Sequence, residues 1–488
     1  MLTLKSLKSH PVFLMIVVTT IVLFAASSAR HALFHSTAYD LAIFDQAIYL
    51  ISQNQTPFSS LMAINILGDH TAFIFYPLAL LYKIYPDVHW LLFVQAISLA
   101  LGAWPSWSLA RQAGLNEQKS IAVAAVYLLY PVVFNVNLFD FHPEVIALPA
   151  ILAAILAARL DKIFWFCAAI GLIISCKAVL SLTVMMMGVW LLIFEKKRNY
   201  GLIAIFFGVA WFLIATQVIV PYFNQGKQHA GVGRYQYLGK SVFEIAINLV
   251  VKPQLIAGRV FSADTFGYLI LLFLPLIWWL SPRHLSPLIG ALPVLVMNIL
   301  SDIEAQRDLI HQYSVPIFPF LLAAVIATLA DRQKRGINSG KKDEKIGGFS
   351  TYLVLANSQV SKLLILWAIL TFLVLAKYGY FWTVYLESMD TWQATRQAIY
   401  LVQTKGSVLT DNSLATHLAH RSKIKLLHQV STEQDLREFD YVLLNLRHPW
   451  PDTKQTAISV VAQLKKSPLF KISYEKDDVL LFQKYAIK

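Results

Sequence analysis

Two carboxylates, Asp40 and Asp45, stand just beyond the first strongly apolar segment, in Ala38-Tyr39-Asp40-Leu41-Ala42-Ile43-Phe44-Asp45-Gln46. A carboxylate in that place can take a proton, hold a cation or cap a helix. A separation of five residues is about 140° around an α-helix, so the two acids do not share a face. The consistent local arrangement makes Asp40 the N-cap and sets Asp45 inside the helix that follows; a purely structural role would leave Asp40 capping and Asp45 on a solvated face. Gly68-Asp69-His70 closes the same loop, and Asp140, His142 and Glu144 alternate within Asn137-Leu138-Phe139-Asp140-Phe141-His142-Pro143-Glu144. Pro143 biases His142 toward extended backbone, which can turn all three side chains one way. Such a set could bind a divalent metal such as Mg or Mn, orient a pyrophosphate, or act as acid and base. The competing reading is a helix start, with Pro143 at the first helical position and Glu144 on the positive end of the dipole.

The matching cations are Lys177, Lys227, His229, Arg234, Arg259, Arg307 and His311. Lys177 stands between two apolar segments, where an unpartnered ammonium costs at least ~2.5 kcal/mol, so it calls for a carboxylate or a phosphate. Arg234, next to Tyr235 and near Tyr237, suits a phosphate or a lipid headgroup.

These groups must be positioned by membrane-spanning helices. Of the 488 residues 57% are hydrophobic and only 14% charged, with mean hydropathy +0.57, which excludes an ordinary soluble domain. The net charge of +13 does not point to nucleic acid, because the basic runs Glu195-Lys196-Lys197-Arg198 and Asp331-Arg332-Gln333-Lys334-Arg335 lie between apolar segments, as cytoplasmic loops do. With two cysteines, Cys167 and Cys176, both in apolar sequence, neither a disulfide framework nor a cysteine zinc site is available. Lys5 and Lys8 ahead of the apolar run 11–26 read as an uncleaved first anchor.

Eleven spans are expected, at about 11–29, 89–110, 119–138, 145–160, 163–176, 178–194, 200–222, 266–281, 285–300, 313–330 and 362–384. The apolar stretch 73–85 is short and interrupted by Pro77, so it reads as an embedded helix that does not cross. Leu41, Phe44, Ile48 and Ile51 fall at helical spacing opposite Asp45, Gln46 and Tyr49, the pattern of an interfacial amphipathic helix. With the N-terminus cytoplasmic, this path puts the 30–88 loop, the 139–144 turn and the C-terminus outside the cell membrane. The tail from about 390 alternates β-rich runs (407–410, 424–427, 441–446, 479–482) with helical ones (414–420, 433–438, 456–466). The expected fold is therefore mainly α: a polytopic transmembrane helical bundle over 1–389 with a small soluble α/β C-terminal domain over 390–488. No glycine follows Gly406, so the tail lacks a phosphate-binding glycine loop and takes no nucleotide cofactor.

The order of one span, a long external loop with an early acid, an embedded helix, two spans, a second acidic external turn and then many spans resembles the C-type membrane glycosyltransferases. Tyr39-Asp40-Leu41-Ala42-Ile43-Phe44-Asp45-Gln46, Gly68-Asp69-His70, Leu138-Phe139-Asp140-Phe141-His142-Pro143-Glu144 and His311-Gln312-Tyr313-Ser314-Val315-Pro316 look like a family of prokaryotic membrane proteins catalogued as a domain of unknown function. The likeness covers nearly the whole chain, including Tyr441-Val442-Leu443-Leu444-Asn445-Leu446-Arg447.

The C-type resemblance implies a sugar donor carried on polyprenyl phosphate and an acceptor glycan, lipid or protein. It makes Asp40 the catalytic carboxylate supported by Asp45. Asp69, His70, Asp140, His142 and Glu144 then orient donor or metal, and Lys177, Arg234 or His311 neutralises the lipid phosphate. One departure stands out: the superfamily pattern has acids after the lysine matching Lys177, and this chain reads Cys176-Lys177-Ala178-Val179. A transporter or flippase for a lipid-linked or anionic solute, and a non-catalytic membrane assembly protein, are the rival functions.

Overall fold

Pro11 opens the first helix, Pro11–Ala32, in the position where its missing N–H costs nothing, and the His10 ring accepts from the Val12 amide at 3.3 Å. Its 22 residues rise about 33 Å, enough to cross hydrocarbon. The structure is a computed structural model and describes residues 10–224, 230–342, 349–430 and 433–485; Lys5, Lys8, Lys227 and His229 lie outside the described residues.

Among the described residues, four helices are long and apolar enough to cross a bilayer: Pro11–Ala32, His89–Gln112, Glu117–Leu138 and Arg198–Phe223. Two bent pairs, Pro253–Val260 with Ala263–Trp279 at 56° and Gln359–Leu375 with Lys377–Leu386 at 42°, pass the same test as pairs and bring the number up to six where each counts as one span. Helices also occupy the other expected spans, but several are short: Glu144–Arg159 has 16 residues, Ile163–Cys176 and Leu180–Ile193 have 14 each. At 1.5 Å per residue such helices reach only about 21–24 Å, so length by itself does not assign them as crossings.

The 30–88 stretch folds back on the bundle. It contains a five-residue π-helical turn Ala38–Ala42, the helix Ile43–Ser52, a two-residue hairpin of β1 (Phe58–Ser59) with β2 (Ile64–Asn65), and the helix Phe75–Ile84. Pro77 lies in the first turn of Phe75–Ile84, where its ring displaces no intrahelical bond, and so it does not interrupt the helix. The Ile43–Ser52 helix is not the surface amphipathic helix expected: its polar residues Asp45 and Gln46 are as buried as Phe44 and Ile48. A polar face needs partners when it is covered, and here Tyr82 and Ser60 of the same stretch and His420 and Arg421 of the C-terminal tail supply them.

That tail forms a five-stranded sheet of β3 (Val408–Thr410), β4 (Ile424–Leu426), β5 (Tyr441–Asn445), β6 (Phe470–Lys476) and β7 (Val479–Lys484), in the order β4-β3-β5-β7-β6. β3 runs parallel to β4 and β5, while β7 is antiparallel to β5 and β6. Side chains alternate between two covered faces. Leu409, Val442, Leu444, Leu480 and Phe482 pack with Val460 and Leu464 of the Lys454–Lys466 helix. Val408, Tyr441, Leu443 and Leu481 join the core that runs through the helical bundle. Burial on both sides explains why every residue of β5 is covered, and it presses the tail against the loop that holds Asp40.

Candidate functional site around Asp40

The first N–H groups of any helix have no partner within it. At the Ala38–Ala42 turn those donors are met from two distant parts of the chain. The Thr37 amide donates to Asp140 Oδ2 at 3.0 Å, and the Ala38 amide donates to Asn412 Oδ1 at 2.5 Å. Asp40 is therefore not the N-cap. The helical turn starts three residues earlier than the spacing suggested, and the Asp40 carboxylate is released for other contacts. Its Oδ2 accepts the Thr37 hydroxyl at 2.5 Å, and its Oδ1 faces His142 Nε2 at 3.4 Å.

Asp140 follows the helix Pro131–Leu138 in left-handed backbone, φ 85°, a region that aspartate enters more readily than most residues. Its carboxylate is buried and paired with Arg30, which lies in the last turn of the first helix and also donates to Ser36 at 3.4 Å. Burial and the neighbouring Asp40 charge push the Asp140 carboxyl up, against the pull of Arg30, and it ends above the usual carboxylate range. Burial pushes Asp40 up too, but hydrogen bonds from His142 and Thr37, with the charges of His142 and Arg30, more than offset it and hold Asp40 below the usual range. Environments that push two adjacent carboxyls apart in this way separate their roles.

Two further pairs flank this centre. Glu144 accepts from Lys177 Nζ at 2.5 Å, so the lysine in the break between Ile163–Cys176 and Leu180–Ile193 is balanced by the second acidic turn, although Ala178 follows it. Asp69 and His70 lie 2.5 Å apart, and their loop is laid into the same break: the Ile74 amide donates to the Ser175 carbonyl at 3.0 Å and the Ala178 amide to the His70 carbonyl at 3.1 Å. Gly68 is needed there because an added Cβ would collide with Asn224, whose amide donates to the Gly68 carbonyl at 2.7 Å. The Phe44 ring meets His70 and His142 edge-on, at 5.0 and 5.7 Å, and so stands between these pairs.

The structure thus brings Asp40, Asp140, His142, Glu144, Lys177, Asp69 and His70 into one region. His311 reaches its border: its ring lies 4.1 Å from Phe139, which stacks on His142 at 5.3 Å, and its Nδ1 pairs with Asp308 at 2.6 Å. Arg234 packs its guanidinium 5.2 Å from the Tyr313 ring, and among the described residues no carboxylate pairs with it. Asp45 is not part of this group. Its buried carboxylate accepts from the Tyr82 hydroxyl at 2.6 Å and faces His420 Nε2 at 2.9 Å.

The proposed metal set does not form either. Asp140, His142 and Glu144 turn to three different partners, Arg30, Asp40 and Lys177. Among the described residues no three His, Cys, Asp or Glu are grouped to hold a metal ion. These donors, committed to cations and hydrogen bonds, do not fit a preformed divalent site. Arg30, Thr37 and Asn412 are absent from the sequence-based set. Arg30 carried a signal, being a charge in the last turn of an apolar segment; Thr37 and Asn412 carried none.

The fold of the chain is similar to that of solved membrane proteins. Solved structures with this fold include ArnT from Cupriavidus metallidurans bound to undecaprenyl phosphate, at 14% identity and TM-score 0.56 over 97% of this chain and 98% of that one. The apo form of the same protein superposes at 13% identity and TM-score 0.55 over 96% and 97% of the two chains. The archaeal oligosaccharyltransferase AglB from Archaeoglobus fulgidus also matches, at 11% identity and TM-score 0.41 over 88% of this chain and 69% of that one. Among curated proteins none matches. The chain belongs to the family described as predicted membrane protein DUF2079, whose profile spans residues 30–481.

Proposed function

We propose that this protein is an integral-membrane glycosyltransferase that moves a sugar from a polyprenyl-phosphate donor to a glycan, lipid or protein acceptor on the extracytoplasmic face of the cell membrane. One observation carries the reading. Of the acids brought together at the site, Asp40 keeps 23% of its side chain exposed while Asp69, Asp140 and Glu144 keep 10%, 1% and 5%. Its carboxyl is also held below the usual carboxylate range, which favours the ionised form. It is placed to accept a proton, and its neighbours are occupied in holding it.

In the transfer, the acceptor oxygen bonds to the anomeric carbon as the bond from that carbon to the phosphate oxygen breaks. The acceptor proton passes to Asp40, and the lipid phosphate leaves with the electron pair as an anion. Cations near the leaving oxygen stabilise that charge only as it develops. Arg234, which no carboxylate neutralises among the described residues, is the first choice, followed by Lys177, paired with Glu144, and by His311 at the border, paired with Asp308. In the accompanying topology the chain crosses eleven times, with residues 1–389 as the membrane unit and 390–488 as the extracytoplasmic domain. The ArnT fold supports the class of donor, since that protein was captured with undecaprenyl phosphate.

The test is lipid and glycan mass profiling of a deletion strain. The strain is expected to accumulate a polyprenyl-phosphate sugar and to lack one modified product. Wild-type protein should restore the profile, and Asp40→Asn protein of normal abundance should not. An unchanged profile on deletion, or full restoration by Asp40→Asn, removes the assignment.

A further inference from the structure

The turn carrying Asp40 is gripped by the tail at two consecutive residues, and neither grip comes from the membrane unit. The Ala38 amide, an orphan donor at the helical start, is met by the Asn412 side chain at 2.5 Å. The Tyr39 hydroxyl, adjacent to Asp40, lies 2.8 Å from His428 Nε2 and 3.3 Å from Gln429 Nε2. Gln429 also donates to the Leu61 carbonyl at 2.5 Å, so it ties the turn to the hairpin loop behind it. Asn412 is itself fixed. It follows β3 directly, at the carboxyl end of a parallel strand, and the preceding Asp411 accepts the Asn445 amide from neighbouring β5 at 3.2 Å.

The opposite side of the turn is held by the membrane unit, through Thr37 and Asp140. Asp40 is thus set between two anchors, and only one of them belongs to the helices.

From this geometry we infer that Asn412 is a positioning residue for Asp40, and that the tail domain is an integral part of the active centre. The inference rests on the proposed role of Asp40 as base. A side chain that fixes one peptide unit two residues from the base controls where the carboxylate points. A displacement of about 1 Å at a reacting group costs on the order of 10²-fold in rate. Asn412 Oδ1 is engaged by the Ala38 amide of the turn that carries Asp40, so its loss is expected to act on the chemical step and to leave donor binding intact.

The experiment uses the full-length protein in detergent or nanodiscs, with hydrogen exchange across residues 36–44 read beside transfer kinetics. Asn412→Ala is expected to lower kcat by about 10²-fold with donor KM unchanged, and to speed exchange at the Ala38 amide while β3 and β5 keep their protection. Asn412→Asp retains the acceptor oxygen and should return both readouts most of the way to wild type. If Asn412→Ala unfolds the tail, seen as lost β3 and β5 protection, His428→Ala takes its place with the same expectations at Tyr39. Wild-type kcat and unchanged exchange at 36–44 in a variant with an intact tail overturn the inference. Asp40→Asn in parallel separates the two ideas. An active Asp40→Asn overturns the base assignment, whereas an inactive Asp40→Asn beside a fully active Asn412→Ala overturns the positioning role alone.

Discussion

His420 Nε2 and Asp45 Oδ1 lie 2.9 Å apart, joining residues separated by 375 positions in the chain. The same oxygen accepts the Tyr82 hydroxyl at 2.6 Å, and the His420 ring stacks on Tyr49 at 4.7 Å with planes 6° apart. Beside this contact, Gln46 donates to the Arg421 carbonyl at 3.0 Å, and the Ser60 hydroxyl donates to the Ile424 carbonyl at 2.8 Å. Asp45 is a fastener between loop and tail, on a face of the helix that Asp40 does not share. Asp45→Ala leaves the buried Tyr82 hydroxyl without its acceptor, at a cost of about 1–3 kcal/mol. Faster hydrogen exchange and proteolysis across 412–430 are expected, with membrane helices unaffected. Tail protection equal to wild type would show that the apolar contacts alone hold it.

The Glu144–Lys177 pair yields a second prediction. Both groups sit at a break between helices, with side-chain exposures of 5% and 16%. Removing one member of a buried pair strands the other charge, which costs about 3–5 kcal/mol, while replacing both is far milder. Lys177→Met should therefore lower the thermal midpoint more than the double change Lys177→Met with Glu144→Gln. Melting in detergent, followed by intrinsic fluorescence, measures this. A double variant that loses the sum of both single losses would mean that the pair is not coupled.

A third prediction concerns pH. Burial raises the Asp40 carboxyl, yet the His142 and Thr37 hydrogen bonds and the charges of His142 and Arg30 leave it below the ordinary range. The ionised form that the proposed base role requires is therefore retained as pH falls, and is lost only on passing the lowered value. His142→Phe removes the largest of the opposing influences while preserving a ring against Phe139 and Phe44. The acid limb of the kcat/KM profile is then expected to move to higher pH. An unshifted limb would show that His142 does not set the charge state of Asp40.

How far the sequence foretold this site depended on distance along the chain. The need for a partner at Lys177 was legible from its apolar flanks; that Glu144 meets it was not, because the pairing joins separate helices. The helix at 43–52 was legible from spacing, but its polar face looked solvated because its cover comes from Arg421 and His420. In the tail, β3, β4, β5 and β7 fall close to the expected runs. β6 escaped notice because it is an edge strand: after Phe470 its residues are mostly exposed, so lysines, serine and glutamate blur the period-2 pattern. Asn412 illustrates the limit, since an asparagine after a short strand reads as an ordinary turn residue.

The last prediction isolates the tail. Asp411 is buried with one carboxyl oxygen accepting from the Asn445 amide at 3.2 Å and the other without a hydrogen-bond partner. Burial pushes its carboxyl up from the ordinary 3.8 to about 7, against the small pull of that amide. A raised folded value favours the protonated form. The stability it contributes is complete below pH 3.8 and is lost as pH rises through about 7. Asp411→Asn keeps the acceptor for Asn445 and removes the titration. It should match wild type only near pH 3.8 and exceed it increasingly as pH rises toward 7, by on the order of 4 kcal/mol at full ionisation. Hydrogen exchange of β3 and β5 across pH 5–8, corrected for intrinsic rates, reads this directly. A wild-type tail whose protection stays level or increases through neutrality would show that Asp411 is already ionised in the fold, and that its second oxygen has found a donor.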